Sequence, residues 1–380
     1  MEEVLRKFLL RFAFLFAVAA ACLRSGLVWG GQAPSPWQAE WERTLAAARK
    51  EGRLMVYGAS DYEKVFGEFQ KKYPEIKVTF VGAGEKPPAL AQRLIAERRA
   101  NQYLADLYVA GAWTAHSALY KPKALDPIKP VLILPEVVDQ TKWWEGRHHY
   151  VDADGQYIFA FNGEMFLTTL YNPALVKPGE FRSYWDLLDP RWKGKLVGFD
   201  PTQGPAGPAI TFLYHNPDLG PKFLTRLLTE MDLVYTRDDR QIVDWVATGK
   251  FAISLFASAS RSDADIAKRQ GVPIDWFGPK TFQEGIPVSS SSGNVTLINR
   301  APHPDAAKVA VNWLLSREGQ AHYQRIFKGP NSRRIDIPKD DVPESNRRVE
   351  GVKFLSVERP EWIDLTPIRK LVNEAQKLKP

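Results

Sequence analysis

The stretch Arg53-Leu54-Met55-Val56-Tyr57-Gly58-Ala59-Ser60-Asp61-Tyr62-Glu63 reads as a strand, a small-residue turn and a helix start. Arg53 to Tyr57 is short, apolar and bounded by glycine, which suits a buried strand. Ser60 and Glu63 have the spacing of a capping box, in which each side chain satisfies a free amide at the helix start. Val65, Phe66, Phe69 and Tyr73 then supply an apolar face before Pro74 ends the helix.

The pattern repeats on both sides of that unit. Upstream, Trp37, Trp41, Leu45 and Ala48 recur at helical spacing and stop at Gly52. Downstream, Ile76, Val78 and Phe80 alternate as a strand, Leu90, Leu94 and Ile95 mark a helix, and Leu107-Tyr108-Val109 is a strand ending at Ala110-Gly111-Ala112. Leu196 to Phe199 is a strand running into Asp200-Pro201-Thr202-Gln203-Gly204. Thr236 with Asp239 is the expected cap of a helix carrying Ile242, Val243 and Trp245, closed by Gly249. Lys250 to Phe256 is a strand, and Ser260 with Asp263 repeats the cap spacing. Val288 to Gly293 reads as a loop before the strand Val295 to Ile298, and a last helix falls near Ile368 to Lys377. Strands alternating with helices predict an α/β protein with mostly parallel sheets covered on both faces. A chain of 380 residues is long enough for two such domains.

Met1 to Lys7 is basic at its end, and Phe12 to Leu23 is an apolar run too short to span a bilayer as a helix. This is the layout of a secretory signal over residues 1–30, predicting a periplasmic or other extracytoplasmic protein. Val28-Trp29-Gly30 offers one cut, and Ala19-Ala20-Ala21-Cys22 an alternative that would anchor a lipoprotein at Cys22. Cys22 is the only cysteine, so the remaining chain has neither disulfides nor a cysteine-based zinc site. The net charge is +7, and residues 1–30 hold four cations against two carboxylates, leaving about +5 elsewhere. The remaining Lys and Arg interleave with Asp and Glu, which describes a solvated surface and no nucleic-acid stripe.

Enzyme signatures are missing. Gly82-Ala83-Gly84 runs into Pro87-Pro88 where a dinucleotide fingerprint needs glycine and a helix start. No Gly-x-Ser-x-Gly elbow or His-Glu-x-x-His motif occurs. His148-His149 with Asp152 and Asp154 is the one candidate metal cluster, and it reads more simply as a surface loop with exposed imidazoles. Trp41, Trp185, Trp245 and Trp313 fall at apolar helical spacing and are assigned to the core, whereas Trp113 follows a glycine turn at a strand end and is a candidate stacking surface.

Five phrases in order carry a resemblance: Glu51 to Gly58; Phe69-Gln70-Lys71-Lys72-Tyr73-Pro74; Leu170-Tyr171-Asn172-Pro173; Ser183 to Lys195; and Ala301-Pro302-His303-Pro304-Asp305-Ala306-Ala307 with Ser316-Arg317-Glu318-Gly319. Together the chain resembles the type II periplasmic solute-binding proteins of ABC transporters, in the family 1 or ferric-ion-type branch. The resemblance implies a two-lobed α/β fold, each lobe a mostly parallel sheet flanked by helices, with the ligand cleft between the lobes and closure about a hinge. It places lobe 1 at 37–171 plus 284–327, lobe 2 at 172–283, and a C-terminal extension at 328–380 whose last helix packs on the lobes. It implies a monomer that binds a small solute without a cofactor and delivers it to a membrane ABC permease.

Open α/β sheets bind ligands beyond the carboxyl ends of their strands. The candidate ligand residues are therefore Ser60, Trp113, Thr202, Gln203, Arg237, Arg240, Ser258, Ser260 and Arg261. Iron binders of this branch carry adjacent tyrosines after the strand that here ends in Leu255-Phe256, and often a histidine in the first turn. This chain has Ala257-Ser258-Ala259-Ser260 and Gly58-Ala59-Ser60-Asp61 there, so the expected solute is anionic or polar. A metal receptor using Tyr57, Tyr62 or His116 is the alternative, and an exported hydrolase or transferase the alternative of another class.

Overall fold

The computed structural model describes residues 35–59, 61–82, 87–202, 206–256 and 261–378. The expected signal at 1–30, Cys22, Ser60, Gln203, Ser258, Ser260 and the side chain of Arg261 lie outside what is described. Residues from Glu40 onward form one compact unit. Among the described residues no helix is long and apolar enough to cross a membrane.

The chain begins with α1 (Pro36–Glu51), β1 (Arg53–Gly58), α2 (Tyr62–Lys72), β2 (Lys77–Val81), α3 (Pro87–Arg99) and β3 (Leu107–Val109). Alternation along β1 sends its side chains to two layers. Leu54 and Val56 join Val65, Phe66 and Phe69 of α2 on one face, while Tyr57, with Met55 against it, joins Leu90 and Leu94 of α3 on the other. Each such side chain, fully buried, contributes about 1.5–3 kcal/mol.

After β4 (Leu125–Asp126) and β5 (Phe159–Ala160), the chain passes through β6 (Glu164–Met165) to β7 (Leu170–Tyr171), then β8 (Leu196–Phe199), α4 (Gly207–His215), α5 (Gly220–Glu230), β9 (Val234–Thr236), α6 (Asp239–Ala247), β10 (Ile253–Leu255), α7 (Arg261–Arg269) and β11 (Asp275–Trp276). It returns through β12 (Ile286–Ser289) to β13 (Asn294–Ile298), α8 (Pro304–Leu315) and α9 (Arg317–Phe327), and ends with β14 (Phe354–Ser356) and α10 (Thr366–Lys377).

Two sheets have the same plan. The first runs β2-β1-β3-β13-β4 and the second β9-β8-β10-β7-β11. In each, three parallel strands are followed by an antiparallel strand that comes from elsewhere in the chain. The first sheet and its helices make one lobe, the second sheet and its helices the other. Leu170–Tyr171 pairs in the second sheet, so the chain joins that sheet slightly before the boundary expected at Tyr171.

A third sheet, β14-β12-β6, links them. Gly285 permits its close packing, because its φ is +93° and an added Cβ would lie 2.2 Å from the Lys353 carbonyl oxygen. The serine run was expected to be loop from Val288, but Val288 and Ser289 are strand and only the residues after them turn. Their alternation is hidden because all four residues of β12 are buried on both faces.

Two local expectations are corrected. The helix α6 is capped by Asp238, not Thr236: the Asp238 carboxylate accepts from the amides of Arg240 and Gln241 at 3.0 and 3.2 Å. Thr236 donates instead to Gln241 Oε1 at 2.7 Å. His148 and His149 are not exposed. His149 is buried and stacked on Trp144 at 5.4 Å, and each imidazole bonds a backbone carbonyl, that of Val137 or Trp144. Of the tryptophans assigned to the core, Trp313 is fully packed, while Trp41, Trp185 and Trp245 lie at core margins, half-buried.

Candidate functional site

In the first sheet the connection from β1 runs outward to β2, and the connection from β2 crosses back over β1 to β3 on its other side, which puts the switch point beyond the carboxyl ends of β1 and β3. The second sheet repeats this at β8 and β10. Ala59, Trp113, Asp200 and Phe256 stand at or just after those four strand ends. Phe256 is held at a φ of +59°, a left-handed conformation that costs an aromatic residue about 1–3 kcal/mol. Its ring lies over Gly198, where a Cβ would come within 3.1 Å of it.

A cavity of about 470 Å³ opens between the lobes. Its first-lobe wall is Gln92 of α3 with Gly111, Trp113, Thr114 and Ser117 of the turn after β3; its other wall is Gly207 at the start of α4 with Leu365 and Arg369 at the C-terminal helix. Trp113 is half-buried and packs against the hydrophobic cores of both lobes. Its indole N–H has no hydrogen-bond partner among the described residues. An orphaned buried donor costs about 1–3 kcal/mol. The helix α4 starts without a side-chain cap, which leaves positive potential from its first turn at that wall.

The other sequence candidates are placed differently. Thr202 follows β8, where Asp200 accepts from its amide at 2.9 Å and its hydroxyl at 2.7 Å. The same carboxylate accepts from Arg237 Nε at 2.9 Å. Burial pushes the Asp200 carboxyl up, but Thr202 and Arg237 outweigh it and hold it below the usual range. The Arg237 side chain remains 71% exposed, and Arg240 is exposed at the start of α6. The amides of α6 expected to receive an anion already bond Asp238. Trp113 therefore shares the cavity with none of Thr202, Arg237 or Arg240. Gln92, Leu365 and Arg369 had no local sequence signal, since nothing in a helix marks the face that will meet a distant turn.

The metal candidates do not converge. The Tyr57 hydroxyl donates to Glu97 at 2.8 Å, that of Tyr62 to the Ser292 carbonyl at 3.1 Å, and His116 stacks on Tyr120. Asp152 accepts three backbone amides, and Asp154 accepts from Tyr120. Among the described residues no three His, Cys, Asp or Glu side chains form a metal-sized group.

A family profile for bacterial extracellular solute-binding protein matches residues 54–321, which span both lobes. The chain belongs to that family. A Haemophilus influenzae relative described as uncharacterized is 28% identical over 288 residues, covering 72% of this chain and 76% of its own length. A Trichodesmium FutA structure with iron and citrate superposes with a TM-score of 0.62 at 19% identity, covering 86% of this chain and 98% of that one. AfuA from Actinobacillus pleuropneumoniae, with fructose-6-phosphate bound, gives 0.53 at 18% identity, with 85% and 97% covered. These likenesses establish the two-lobed fold of the periplasmic binding proteins of ABC transporters. The family is one of binding proteins that act outside the cytoplasm with a membrane permease.

Proposed function

We propose that this solute-binding protein takes a small oxyanionic or polar solute in the cleft beside Trp113, closes over it as a monomer, and delivers it to its ABC permease. The observation that carries this reading is the interlobe cavity, whose wall combines the Trp113 side chain, an uncapped helix start and the guanidinium of Arg369. Anions are favoured by such donors. Two relatives in fold have oxyanions bound, citrate together with iron in FutA and fructose 6-phosphate in AfuA. Ferric coordination is less well supplied. Burial, reinforced by Glu97, pushes the Tyr57 phenol above its ordinary value, and burial does the same to Tyr62, whereas phenolate ligands need the opposite.

The hinge of this reading is the three-stranded sheet, with lobe crossings at β6, β12 and β14. Calorimetry against citrate, inorganic phosphate, fructose 6-phosphate and ferric ion tests the solute class. At least one oxyanion is expected to bind, with a smaller radius of gyration by small-angle scattering at saturation. Tight ferric binding with indifference to all three anions overturns it. Trp113→Ala is expected to weaken the bound anion about three- to tenfold, the loss of one stacked aromatic contact. Arg237→Ala is expected to change affinity less than twofold, because that guanidinium is engaged by Asp200 at an exposed rim.

A further inference from the structure

The segment after Ser356 lies beyond the family match, which ends at residue 321, and it touches both lobes. Val357 is buried in the second lobe's core, Ile363 in the first lobe's, and Ile368, Val372 and Ala375 in the second again. Trp362 stacks on His215 of α4 at 5.1 Å with the rings 7° apart, and the guanidinium of Arg359 covers its ring at 4.3 Å. The segment is thus a strap fastened on each side of the cleft. Within α10, Ile368, Val372 and Ala375 form one buried stripe. That stripe fixes the rotation of the helix, and Arg369 with Leu365 is left facing the cavity that Trp113 lines. Arg369 is exposed and makes no ion pair among the described residues. It is the only ionisable side chain among the described residues of the cavity wall.

We infer that the C-terminal strap is part of the solute site, and that Arg369 is the residue that selects an oxyanion there. This rests on the solute reading above. The solute lies with its body on the Trp113 indole and a carboxylate or phosphate oxygen on the Arg369 guanidinium, so that it joins the first lobe's turn to a helix seated on the second. A lone, unneutralised cation at a partly enclosed wall favours charged over neutral solutes of equal size. A planar guanidinium holds two oxygens at once, which a lysine ammonium does not.

The test is calorimetry on the exported chain and on Arg369→Ala and Arg369→Lys, with inorganic phosphate, citrate and fructose 6-phosphate at low and high salt. The anion that wild type binds is expected to bind Arg369→Ala about ten- to a hundredfold more weakly and with a flatter salt dependence. Arg369→Lys is expected to restore part of the affinity and the salt dependence. Melting temperatures within a few degrees of wild type confirm that the variants are folded. Wild-type affinity and salt dependence in Arg369→Ala overturn the strap's role and leave the oxyanion reading standing. Failure of wild type to bind any of the three anions in the millimolar range overturns both.

Discussion

Arg333→Met is expected to destabilise the chain by about 3–5 kcal/mol, the cost of breaking a buried charge network from one side. Arg333 is fully buried, donates from Nε to the Asn162 carbonyl at 2.7 Å and from Nη2 to Ser356 Oγ at 2.8 Å, and packs over Trp144. Burial pulls its pKa down to about 9, opposed by the field of Glu358. Glu358 is itself buried and accepts from Ser289 Oγ at 2.5 Å and the Ser290 amide at 2.9 Å. The network therefore ties the residues before β6 to the ends of β12 and β14, the three strands that join the lobes. Glu358→Gln should also destabilise, since it removes the larger of the two carboxylate fields, from Glu358 and Glu145, that oppose the guanidinium's burial. The double variant should lose less than the sum of the two, by about 0.5–3 kcal/mol of coupling. Urea unfolding followed by tryptophan fluorescence measures all three; additive losses, or a loss below 1 kcal/mol for Arg333→Met, would refute the network.

The second large effect is acid sensitivity. Burial, with the nearby Arg333 adding to it, pushes the His149 pKa down to about 2. The unfolded imidazole titrates near 6.5. Below that pH the unfolded chain takes up a proton that the folded chain refuses. Stability from His149 is thus complete above pH 6.5 and falls by about 1.4 kcal/mol per unit as pH drops toward 2. From pH 6.5 to 5 the expected loss is about 2 kcal/mol from this residue alone. His116, His148 and His215 are also shifted down, chiefly by burial, and act in the same direction. His149→Gln, whose amide can still donate to the Trp144 carbonyl, is expected to flatten the dependence of the urea midpoint on pH. An unchanged slope in that variant would show that His149 already titrates normally in the folded chain.

Much of the scaffold was legible because its signals are local. The β1 strand, Gly52 in a left-handed turn, and the strands at Leu107–Val109 and Leu196–Phe199 depend on alternation and turn chemistry within a few residues. The linking sheet was not legible. Its strands β6 and β14 are two and three residues long, too short for any period, and exist only because β12 runs between them. The cap of α6 was misread because Thr236 and Asp238 are both good caps, and the choice depends on where the strand β9 releases the chain. The histidine pair was misread because adjacency in sequence says nothing of whether a stretch is later covered by the C-terminal residues, here Arg333 and Arg348 beside Trp144.

The amino-acid order, read without coordinates, carries the α/β class and Trp113 as a cleft candidate, because periodicity, capping and strand-end glycines are properties of neighbouring residues; the two-lobed family it carries only through the resemblance of five phrases in order. It carries neither the Arg333 network nor the place of Arg369 at the cavity. Arg333 acquires its partners from segments far away in sequence, and Arg369 meets the cavity only because Ile368, Val372 and Ala375 are drawn into the second lobe's core. Burial of that apolar stripe sets the helix rotation, and the rotation sets which charge faces the cavity.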